Sequence, residues 1–293
     1  MTIAFDYDTA FASNLGWLTR PEQRTLRGKR VAIAGLGGAG GLHLLTLVRL
    51  GVGRFHLAEF DTFEVGNFNR QIGASLSSVG RPKLDVMTAM ARDINPTVEI
   101  TGFPDGVNAS NVEAFLTGAD LFVDGLDFFA IAARELVFAE CARRGIPATT
   151  VGPIGMGAAL LNFMPGKMGF AEYFGFDQGA EEEKPLRFLI GLAPAMLHRR
   201  YLVDPSFVDL ASGRGPSTGM GCQICAGIAA TEALKILIGR GRVLAAPRGV
   251  HFDAYRNKLI STWRPGGYRH PMQRTLFALA RRQFARMRSA VPR

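Results

Sequence analysis

Two cationic side chains, Arg70 and Lys83, follow a glycine-rich segment and could act on phosphate. Arg70 lies in a polar stretch at 61–71, and Lys83 opens a predicted helix twelve residues past Gln71. Fixed cations stabilise the negative charge that develops at phosphorus, so this pair favours a polyphosphate over a nicotinamide. The alternative is that both are solvated surface cations, as most arginines and lysines are.

Two carboxylates, Asp124 and Asp127, follow the apolar run at 121–123. Such a run predicts a buried strand, and the ligands of open α/β sheets bind where strands end. A carboxylate at that edge can hold Mg²⁺ against phosphate oxygens. The motif context favours the metal role for Asp127. The alternative is that Asp127 caps the helix predicted to start near Ala130.

The glycines Gly35, Gly37 and Gly40 form a pattern typical of phosphate-binding turns. They follow a predicted strand at 30–34 and precede a helical pattern at 42–50. Glycine lets the backbone approach a phosphate, and the helix N-terminus offers unpaired N–H groups to an anion. The alternative is a tight strand-to-helix turn with no ligand, which the surrounding strand, helix and acidic residue make the weaker interpretation.

Glu59 is the acidic residue of this pattern. It lies in the second predicted strand at 54–60, 19 residues beyond Gly40. A carboxylate in that position accepts hydrogen bonds from ribose hydroxyls. The sequence therefore predicts a nucleotide at this turn.

Alternating strands and helices must position these groups. Alternation predicts an α/β fold with a Rossmann-like, doubly wound and mainly parallel sheet. Later strands at 158–164 and 249–263 would extend it in antiparallel fashion, and 166–218 looks irregular. The predicted strands are 30–34, 54–60, 98–102, 121–124 and 148–151, and the predicted helices are 42–50, 83–94, 110–116, 130–144, 227–237 and 274–288.

Composition and charge narrow the class of protein further. With 293 residues, 47% of them hydrophobic, we expect one folded domain over 1–293. The net charge of +9 is concentrated at 264–293, which contains eight arginines and no acids and is expected to be a basic helical tail. Three cysteines cannot make a disulfide framework, and no secretory signal or membrane span is visible, so a cytoplasmic location is expected.

The chain resembles the ThiF/MoeB/HesA group, the bacterial relatives of ubiquitin-activating enzymes. Five motifs in order carry the resemblance, and two weaker ones follow at 215–237 and 251–259 (HFDAYRNKL). The five are VAIAGLGGAGG at 31–41, GVGRFHLAEFDTFEVGNFNRQ at 51–71, VGRPKLDVM at 79–87, INP at 94–96 and LFVDGLD at 121–127.

The resemblance implies a homodimeric adenylyltransferase that binds ATP and Mg²⁺. Such an enzyme adenylates the C-terminal carboxylate of a small carrier protein or peptide and releases pyrophosphate. The family's usual Asp is Glu59 here, which would hold the ribose, and Asp127 would bind Mg²⁺. The remaining site residues implied by the resemblance are Gly35, Gly37, Gly38 and Gly40 at the phosphates, Asn67, Arg70 and Lys83 at the phosphates and the α-phosphorus, and Asp61 beside them.

Several features depart from the family. Cys222 and Cys225 form a single CxxC pair where many members hold zinc with two, so no zinc is expected. They are interpreted as packed small residues, with a thiol nucleophile or redox pair as the alternative, and Cys141 as core. The arginine that the family supplies from the partner's N-terminal segment is missing at 11–14, unless Arg20 or Arg24 replaces it.

Three other functions stay open at this point. A tRNA-modifying dehydratase of the same superfamily would suit the NRQI motif at 69–72 and the arginine-rich tail, which could contact nucleic acid. A nucleotide-binding scaffold without chemistry would explain the missing arginine, and an NAD oxidoreductase is disfavoured by Arg70, Lys83 and Asp127. The aromatic residues Phe170, Tyr173, Phe174 and Phe176 are either core or the lining of a groove for a peptide tail.

Overall fold

The computed structural model describes residues 4–178, 180–209, 213 and 215–290, with side chains up to residue 282. Within these residues, one sheet contains eight strands in the order β3-β2-β1-β4-β5-β6-β7-β8. The strands are β1 (Arg30–Ala34), β2 (Arg54–Ala58), β3 (Glu99–Phe103), β4 (Leu121–Asp124), β5 (Ala148–Ile154), β6 (Gly157–Phe163), β7 (Arg248–Asp253) and β8 (Lys258–Trp263).

The sheet is parallel from β3 to β5 and antiparallel from β5 to β8. Ala34 at the end of β1 pairs with Ala58 at the end of β2 and with Asp124 at the end of β4. The carboxyl ends of these three strands are therefore level with one another. The predicted Rossmann-like α/β fold with an antiparallel extension is confirmed.

Helices connect the strands and cover both faces of the sheet. Together with short 3₁₀ turns, they account for most of the chain between the strands. The helices are α1 (Tyr7–Ala10), α2 (Arg20–Gly28), α3 (Gly40–Leu50), α4 (Lys83–Ile94), α5 (Val112–Leu116), α6 (Ile131–Arg144), α7 (Phe170–Phe174), α8 (Lys184–Leu192), α9 (Gly219–Ile238) and α10 (Pro271–Ala290).

Alternate residues of the strands face two separate cores. Val31 and Ile33 of β1 pack on one face with apolar residues of α3, α4 and α9. Ala32 and Ala34 pack on the other face with residues of α5, α6, α7 and α8. Burial on both faces explains why the central strands are continuously apolar in the sequence, as parallel strands usually are.

Local sequence signals set several helix ends. Thr19 and Glu22 form a capping box at the start of α2. Gly51 ends α3 and Gly145 ends α6, and both adopt the left-handed conformation that glycine tolerates best. These signals were visible in the sequence, and the predicted bounds of α4 agree with the structure residue by residue.

Two of the predicted elements need correction. The helix predicted at 227–237 begins at Gly219, where the Thr218 hydroxyl accepts a hydrogen bond from the N–H of Gly221. Its first turns are rich in glycine and cysteine, which lowers helix propensity, so burial rather than propensity defines them. The segment 166–218 was predicted to be irregular, but it contains α7 and α8.

The aromatic residues of 170–176 do not line a groove. Phe170, Tyr173, Phe174 and Phe176 are each at most 5% exposed. They pack edge to face and in tilted or stacked pairs with Phe138, Phe163 and Phe188. The alternative that they bind a peptide tail is wrong for this conformation, because their ring faces are covered by one another.

The two longest helices have different environments. α9 is long and apolar enough to cross a membrane, but half of that stretch is buried inside the molecule. It packs against α3, β5 and β6, as the central helix of a folded core does. The basic α10 packs on α8 through the buried Phe277, and Arg281 pairs with Glu183 at 3.2 Å.

Candidate functional site

The carboxyl ends of β1, β2 and β4 meet at one edge of the sheet, and the loops that follow them form the candidate site. The loop after β1 contains the glycines, the loop after β2 runs through 59–82, and the loop after β4 carries Asp127. The fold therefore places the predicted site residues in loops that follow neighbouring strands. Ligands of open α/β sheets bind at such an edge.

Gly35 and Gly40 are required by backbone packing. Gly35 has a φ of +83°, and a side chain there would collide with the backbone of Gly125. A side chain on Gly40 would collide with the carbonyl of Gly35. These glycines bring the loops after β1 and β4 into backbone contact, so their identity follows from the fold and is no separate sign of a ligand.

Gly37 and Gly38 lie in a more open part of the same loop. The nearest atom to a side chain on Gly37 would be Nε2 of Gln71, at 3.8 Å. At Gly38 the neighbours would be Sγ of Cys222 at 3.0 Å and Cγ of Arg70 at 3.4 Å. The space in front of Gly37 is not filled by protein atoms within the described residues, which leaves room for a ligand.

The backbone N–H groups of this open part are unpaired. Among the described residues, the N–H groups of Gly37, Gly38 and Ala39 have no hydrogen-bond acceptor. They precede α3, an 11-residue helix, whose dipole adds partial positive charge at the same place. Unpaired N–H groups at a helix N-terminus are suited to an anion such as phosphate.

Glu59 is buried and is held by backbone amides. Its Oε2 accepts from the N–H of Leu36 at 2.7 Å, and its Oε1 accepts from Phe60 and Asp61 at 2.9 and 3.0 Å. These contacts use about three of the four acceptor positions of a carboxylate. Glu59 therefore fixes the loops after β1 and β2 together and retains about one acceptor position for a ribose hydroxyl.

Arg70 and Asn67 lie in a tight turn of the loop after β2. Nη1 of Arg70 donates to the carbonyl of Gly66 and to Oδ1 of Asn69, each at 3.0 Å. Oδ1 of Asn67 accepts from the N–H of Glu64, also at 3.0 Å. The stem of Arg70 lies beside Gly38, so the cation borders the open part of the glycine loop.

Lys83 is a buried cation at the start of α4. It is 5% exposed, and its Nζ lies 3.1 Å from Oδ2 of the half-exposed Asp61. That is the one hydrogen bond of its ammonium among the described residues, although the group has three donors. A buried ammonium with unused donors is costly unless another acceptor is present, and a phosphate would supply one.

Asp124 differs from Asp127 because its carboxylate is fully used by the protein. Oδ2 of Asp124 accepts from Nε of Arg134 and from Oγ1 of Thr150, each at 2.7 Å. Its Oδ1 accepts from the N–H of Leu126 at 3.1 Å. Asp124 is 4% exposed, so it supports the loop instead of meeting a ligand.

Asp127 is exposed and has one carboxylate oxygen free. Its Oδ1 accepts from the N–H of Phe129 at 2.9 Å, and its Oδ2 has no partner among the described residues. The N-cap of α6 is Ala130, without a side-chain hydrogen bond. The alternative that Asp127 caps this helix is therefore wrong, and the free oxygen is available to a cation.

Mg²⁺ fits this donor set. Protein sites commonly give Mg²⁺ one or two carboxylates, and substrate phosphates and water complete the shell. Asp127 is one such carboxylate. The described residues contain no group of three or more His, Cys, Asp or Glu side chains that could hold a metal without a substrate.

Two residues of the site were not predicted from the sequence. Gln71 was quoted within a motif but given no role, although it is 7% exposed and its Oε1 has no hydrogen-bond partner among the described residues. A buried amide oxygen without a partner, next to the open glycine loop, suggests a ligand donor. Arg134 lies on α6 outside every motif, and its sequence gave no signal.

The cysteines are buried and free. Cys222 lies against Gly38, and burial raises the pKa of its thiol. Sγ of Cys225 donates to the carbonyl of Val151 at 2.8 Å, and burial raises its pKa well above the usual value. Burial likewise raises the pKa of Cys141 to about 12. These protonated, buried thiols agree with packing and disfavour nucleophilic or redox roles.

The fold and the site define a Rossmann-like α/β protein with an anion-binding edge. Residues 11–275 match the ThiF family, so the chain belongs to that family. The motifs that carried the resemblance are thereby confirmed as family motifs.

Curated relatives match the chain over about half of its length. The tRNA threonylcarbamoyladenosine dehydratase of Bacillus subtilis is 38% identical over 124 residues, which is 42% of this chain and 48% of the relative. The vegetative HesA protein of Trichormus variabilis is 34% identical over 144 residues, 49% of this chain and 54% of the relative. The chain thus spans about half the length of these relatives.

Solved structures share the fold over most of the chain. The crystal structure of E. coli MccB with ATP superposes with a TM-score of 0.63 and 20% identity, covering 89% of this chain and 73% of MccB. PaaA gives a TM-score of 0.66 at 16% identity, covering 89% of this chain and 74% of PaaA. At these identities the likeness establishes the fold.

Proposed function

We propose that this chain is an ATP-dependent adenylating enzyme that activates a carboxylate. The open glycine ledge carries the proposal, because the unpaired N–H groups of Gly37, Gly38 and Ala39 form a phosphate site bordered by Arg70. A dehydrogenase would need no buried lysine there, whereas Lys83 offers unused donors to a triphosphate.

The reaction is an in-line displacement at the α-phosphorus. A carboxylate oxygen of the substrate forms a bond to phosphorus, the bond from phosphorus to the bridging oxygen of the β-phosphate breaks, and pyrophosphate leaves. An ionised carboxylate needs no general base, so the protein contributes position and charge. Mg²⁺ on Asp127 would neutralise phosphate charge during the displacement.

The other site residues divide the remaining work. Lys83 and Arg70 hold phosphate oxygens, and Asn67 contributes the amide N–H groups that have no acceptor among the described residues. Gln71 offers its unpartnered buried amide oxygen to the nucleotide. Glu59 accepts from a ribose hydroxyl through its remaining acceptor position, and Asp61 holds the ammonium of Lys83 in place.

Calorimetric titration with ATP, with and without MgCl₂, tests the proposal. We expect wild type to bind ATP and to gain affinity with Mg²⁺, and Asp127→Asn to lose most of that gain while keeping metal-free binding. Asp93→Asn, an exposed aspartate of α4, serves as the matched control and should bind as wild type does. Saturable heat with NADH, and none with ATP, would overturn the proposal.

For the carboxylate we propose the C-terminus of a small carrier protein or a peptide. Relatives with such names include the SAMP-activating enzyme E1 of Haloferax volcanii, which is 34% identical over 125 residues. Exchange of labelled pyrophosphate into ATP in the presence of a candidate carrier protein measures activation directly. A carrier lacking its last residue should support none.

A modified tRNA base is the second candidate substrate. The dehydratase of Bacillus subtilis supports it, as do the cationic side chains of Arg274 and Arg282, which have no acidic partner among the described residues. If this candidate is correct, purified tRNA should stimulate release of AMP or ADP from ATP. The double variant Arg274→Gln/Arg282→Gln should then reduce the salt dependence of tRNA binding by about one logarithmic unit per lost phosphate contact.

We also propose a homodimer with a cytoplasmic location and a single adenylation domain across the chain. The loop after β2 exposes several large apolar side chains, more than a surface loop of a monomer needs, so a second copy of this chain would bury them. Analytical ultracentrifugation tests the dimer. The exposed residues are Phe60, Val65, Phe68, Ile72, Leu76 and Val79.

A further inference from the structure

Arg134 is a buried cation whose hydrogen bonds all go to one loop. It is 2% exposed and is among the largest fully buried side chains of the described residues. Its Nη2 donates to the carbonyls of Leu126 and Asp127 at 2.8 and 3.0 Å, and its Nη1 donates to that of Phe128 at 3.3 Å. A single guanidinium thus contacts three consecutive carbonyls of the loop between β4 and α6.

The guanidinium is itself fixed from two other directions. Its Nε donates to Oδ2 of Asp124 at 2.7 Å, and Asp124 is in turn held by Thr150 of β5. The ring of Phe188 in α8 lies 4.5 Å from the guanidinium carbon and covers its flat face. The cation is therefore neutralised by a carboxylate at the sheet and stacked on an aromatic ring, which excludes water from it.

The loop that Arg134 contacts is the one that presents Asp127. The backbone carbonyl of Asp127 accepts from Arg134, and its Oδ1 accepts from Phe129, so the residue is restrained at both backbone and side chain. A metal ligand restrained before the metal arrives costs less to order on binding. A lysine at 134 would have one ammonium and could not reach three carbonyls and a carboxylate together.

We propose that Arg134 is a positioning residue for the magnesium ligand Asp127, and that Phe188 of α8 completes its seat. The inference rests on the proposed function, because it assigns Mg²⁺ to Asp127. Arg134 acts through the loop and touches neither metal nor nucleotide.

The experiment separates the loop from the metal. Hydrogen–deuterium exchange of the amides at 125–129 reports the order of the loop in the nucleotide-free protein. Mn²⁺ affinity, measured by electron paramagnetic resonance with α,β-methylene-ATP present, reports the metal site, and calorimetry reports ATP affinity without metal. We expect Arg134→Lys to exchange these amides at least tenfold faster and to bind Mn²⁺ about tenfold more weakly, with metal-free ATP affinity within twofold of wild type.

Arg143→Lys is the matched control. Arg143 lies on the same helix, is exposed, and pairs with Glu140 at 2.6 Å, so its replacement should change none of the three measurements. Because Arg134→Lys leaves Asp124 short of a partner, Asp124→Asn/Arg134→Met is prepared in parallel, which removes both charges of the buried pair. The double variant is expected to show the same fast exchange and weak Mn²⁺ binding.

Two results would overturn the inference. Unchanged amide exchange in a folded variant would show that Arg134 does not order the loop. Faster exchange with unchanged Mn²⁺ affinity would show that loop order does not position the ligand. Failure of the proposed function looks different, since wild type would then bind neither ATP nor Mn²⁺ with the nucleotide, while the exchange measurement would still test whether Arg134 orders the loop.

Discussion

The two halves of the molecule are built by different means. Between β1 and β4, polar side chains bind the backbone of neighbouring loops, as Glu59 does with Leu36 and Asp61. Between α7 and α8, aromatic rings fill the space, as Phe174 and Phe188 do at 5.1 Å between ring centres. The first half places charges at an edge, whereas the second provides apolar mass behind them.

The difference teaches where substitutions act. A change in the first half alters which atoms face a ligand, and a change in the second alters how firmly the loops are held. Arg134 stands where the halves meet, with its hydrogen bonds in the first and its aromatic neighbour Phe188 in the second. The following variants test this division, beginning with the largest expected effect.

The largest effect is expected for Gly40→Ala, paired with Gly37→Ala. The side chain at 40 would collide with the carbonyl of Gly35, so we expect loss of the fold or a stability loss beyond about 4 kcal/mol. Gly37→Ala meets no atom closer than 3.8 Å, so it should fold as wild type and bind ATP more weakly. Circular dichroism melts and calorimetry measure both. Equal stability of the two variants would contradict the distinction between packed and open glycines.

Phe174→Ala tests the aromatic half. Phe174 is 1% exposed, and truncating a buried phenylalanine costs about 3–5 kcal/mol. Urea denaturation at 25 °C should show that loss. The folded fraction should bind ATP as wild type does, since the ring contacts no residue of the nucleotide edge. A large change in ATP affinity without a change in stability would mean that the halves are not separable in this way.

Lys83→Met tests the charged half. The variant keeps the length and burial of the side chain but removes its ammonium, and a hydrogen bond to a charged group contributes about 1.5–3 kcal/mol. We expect ATP–Mg²⁺ binding to weaken about tenfold to a hundredfold, by calorimetry, with little loss of stability. Arg81→Met, at an exposed position nearby, is the control. Unweakened binding by Lys83→Met would remove this lysine from the phosphate site.

Buried histidines in each half predict a shared pH dependence. Burial lowers the pKa of His43 in α3 and of His198 before β7 to about 4, from an ordinary value of 6.5. The folded state therefore holds these rings neutral, and stability is lost as the pH falls from about 6.5 towards 4, because the unfolded chain binds the protons first. Each ring contributes a slope of at most about 1.4 kcal/mol per pH unit.

Replacing one ring at a time measures its share. We expect His43→Leu and His198→Leu each to flatten the fall in unfolding free energy between pH 6.5 and 4, followed by urea denaturation at several pH values. Each slope should drop by up to one proton. A variant whose slope matches that of wild type would show that its histidine is protonated in the folded state as readily as in the unfolded chain.

Removing the tail from residue 270 onward should have the smallest effect on the nucleotide edge. Phe277 and the Arg281–Glu183 pair attach α10 to α8, far along the chain from the glycine loop. We expect ATP affinity within twofold of wild type and a modest fall in melting temperature, because Leu186 and Ile190 lose their cover. Loss of ATP binding in a folded truncated protein would assign the tail to the site.

Most of the first half was predictable because its signals are local. A glycine pattern between an apolar run and a helical repeat identifies β1, the turn and α3, and Pro82 followed by Lys83 identifies the start of α4. α7 and α8 were missed, since their short apolar stretches carry no caps visible in the sequence and become helical by burial against β6 and α6. Gly219 at the start of α9 was missed for the same reason.

The sequence by itself determined the order of the elements, the family and the residue types at the nucleotide edge, because period, caps and motif spacing are properties of neighbouring residues. Only the tertiary structure decided that Asp124 is consumed by Arg134 and Thr150 while Asp127 keeps a free oxygen. It also separated Gly37 from Gly35 and Gly40. These distinctions depend on contacts between residues far apart in the chain, and such contacts leave no periodic trace in the sequence.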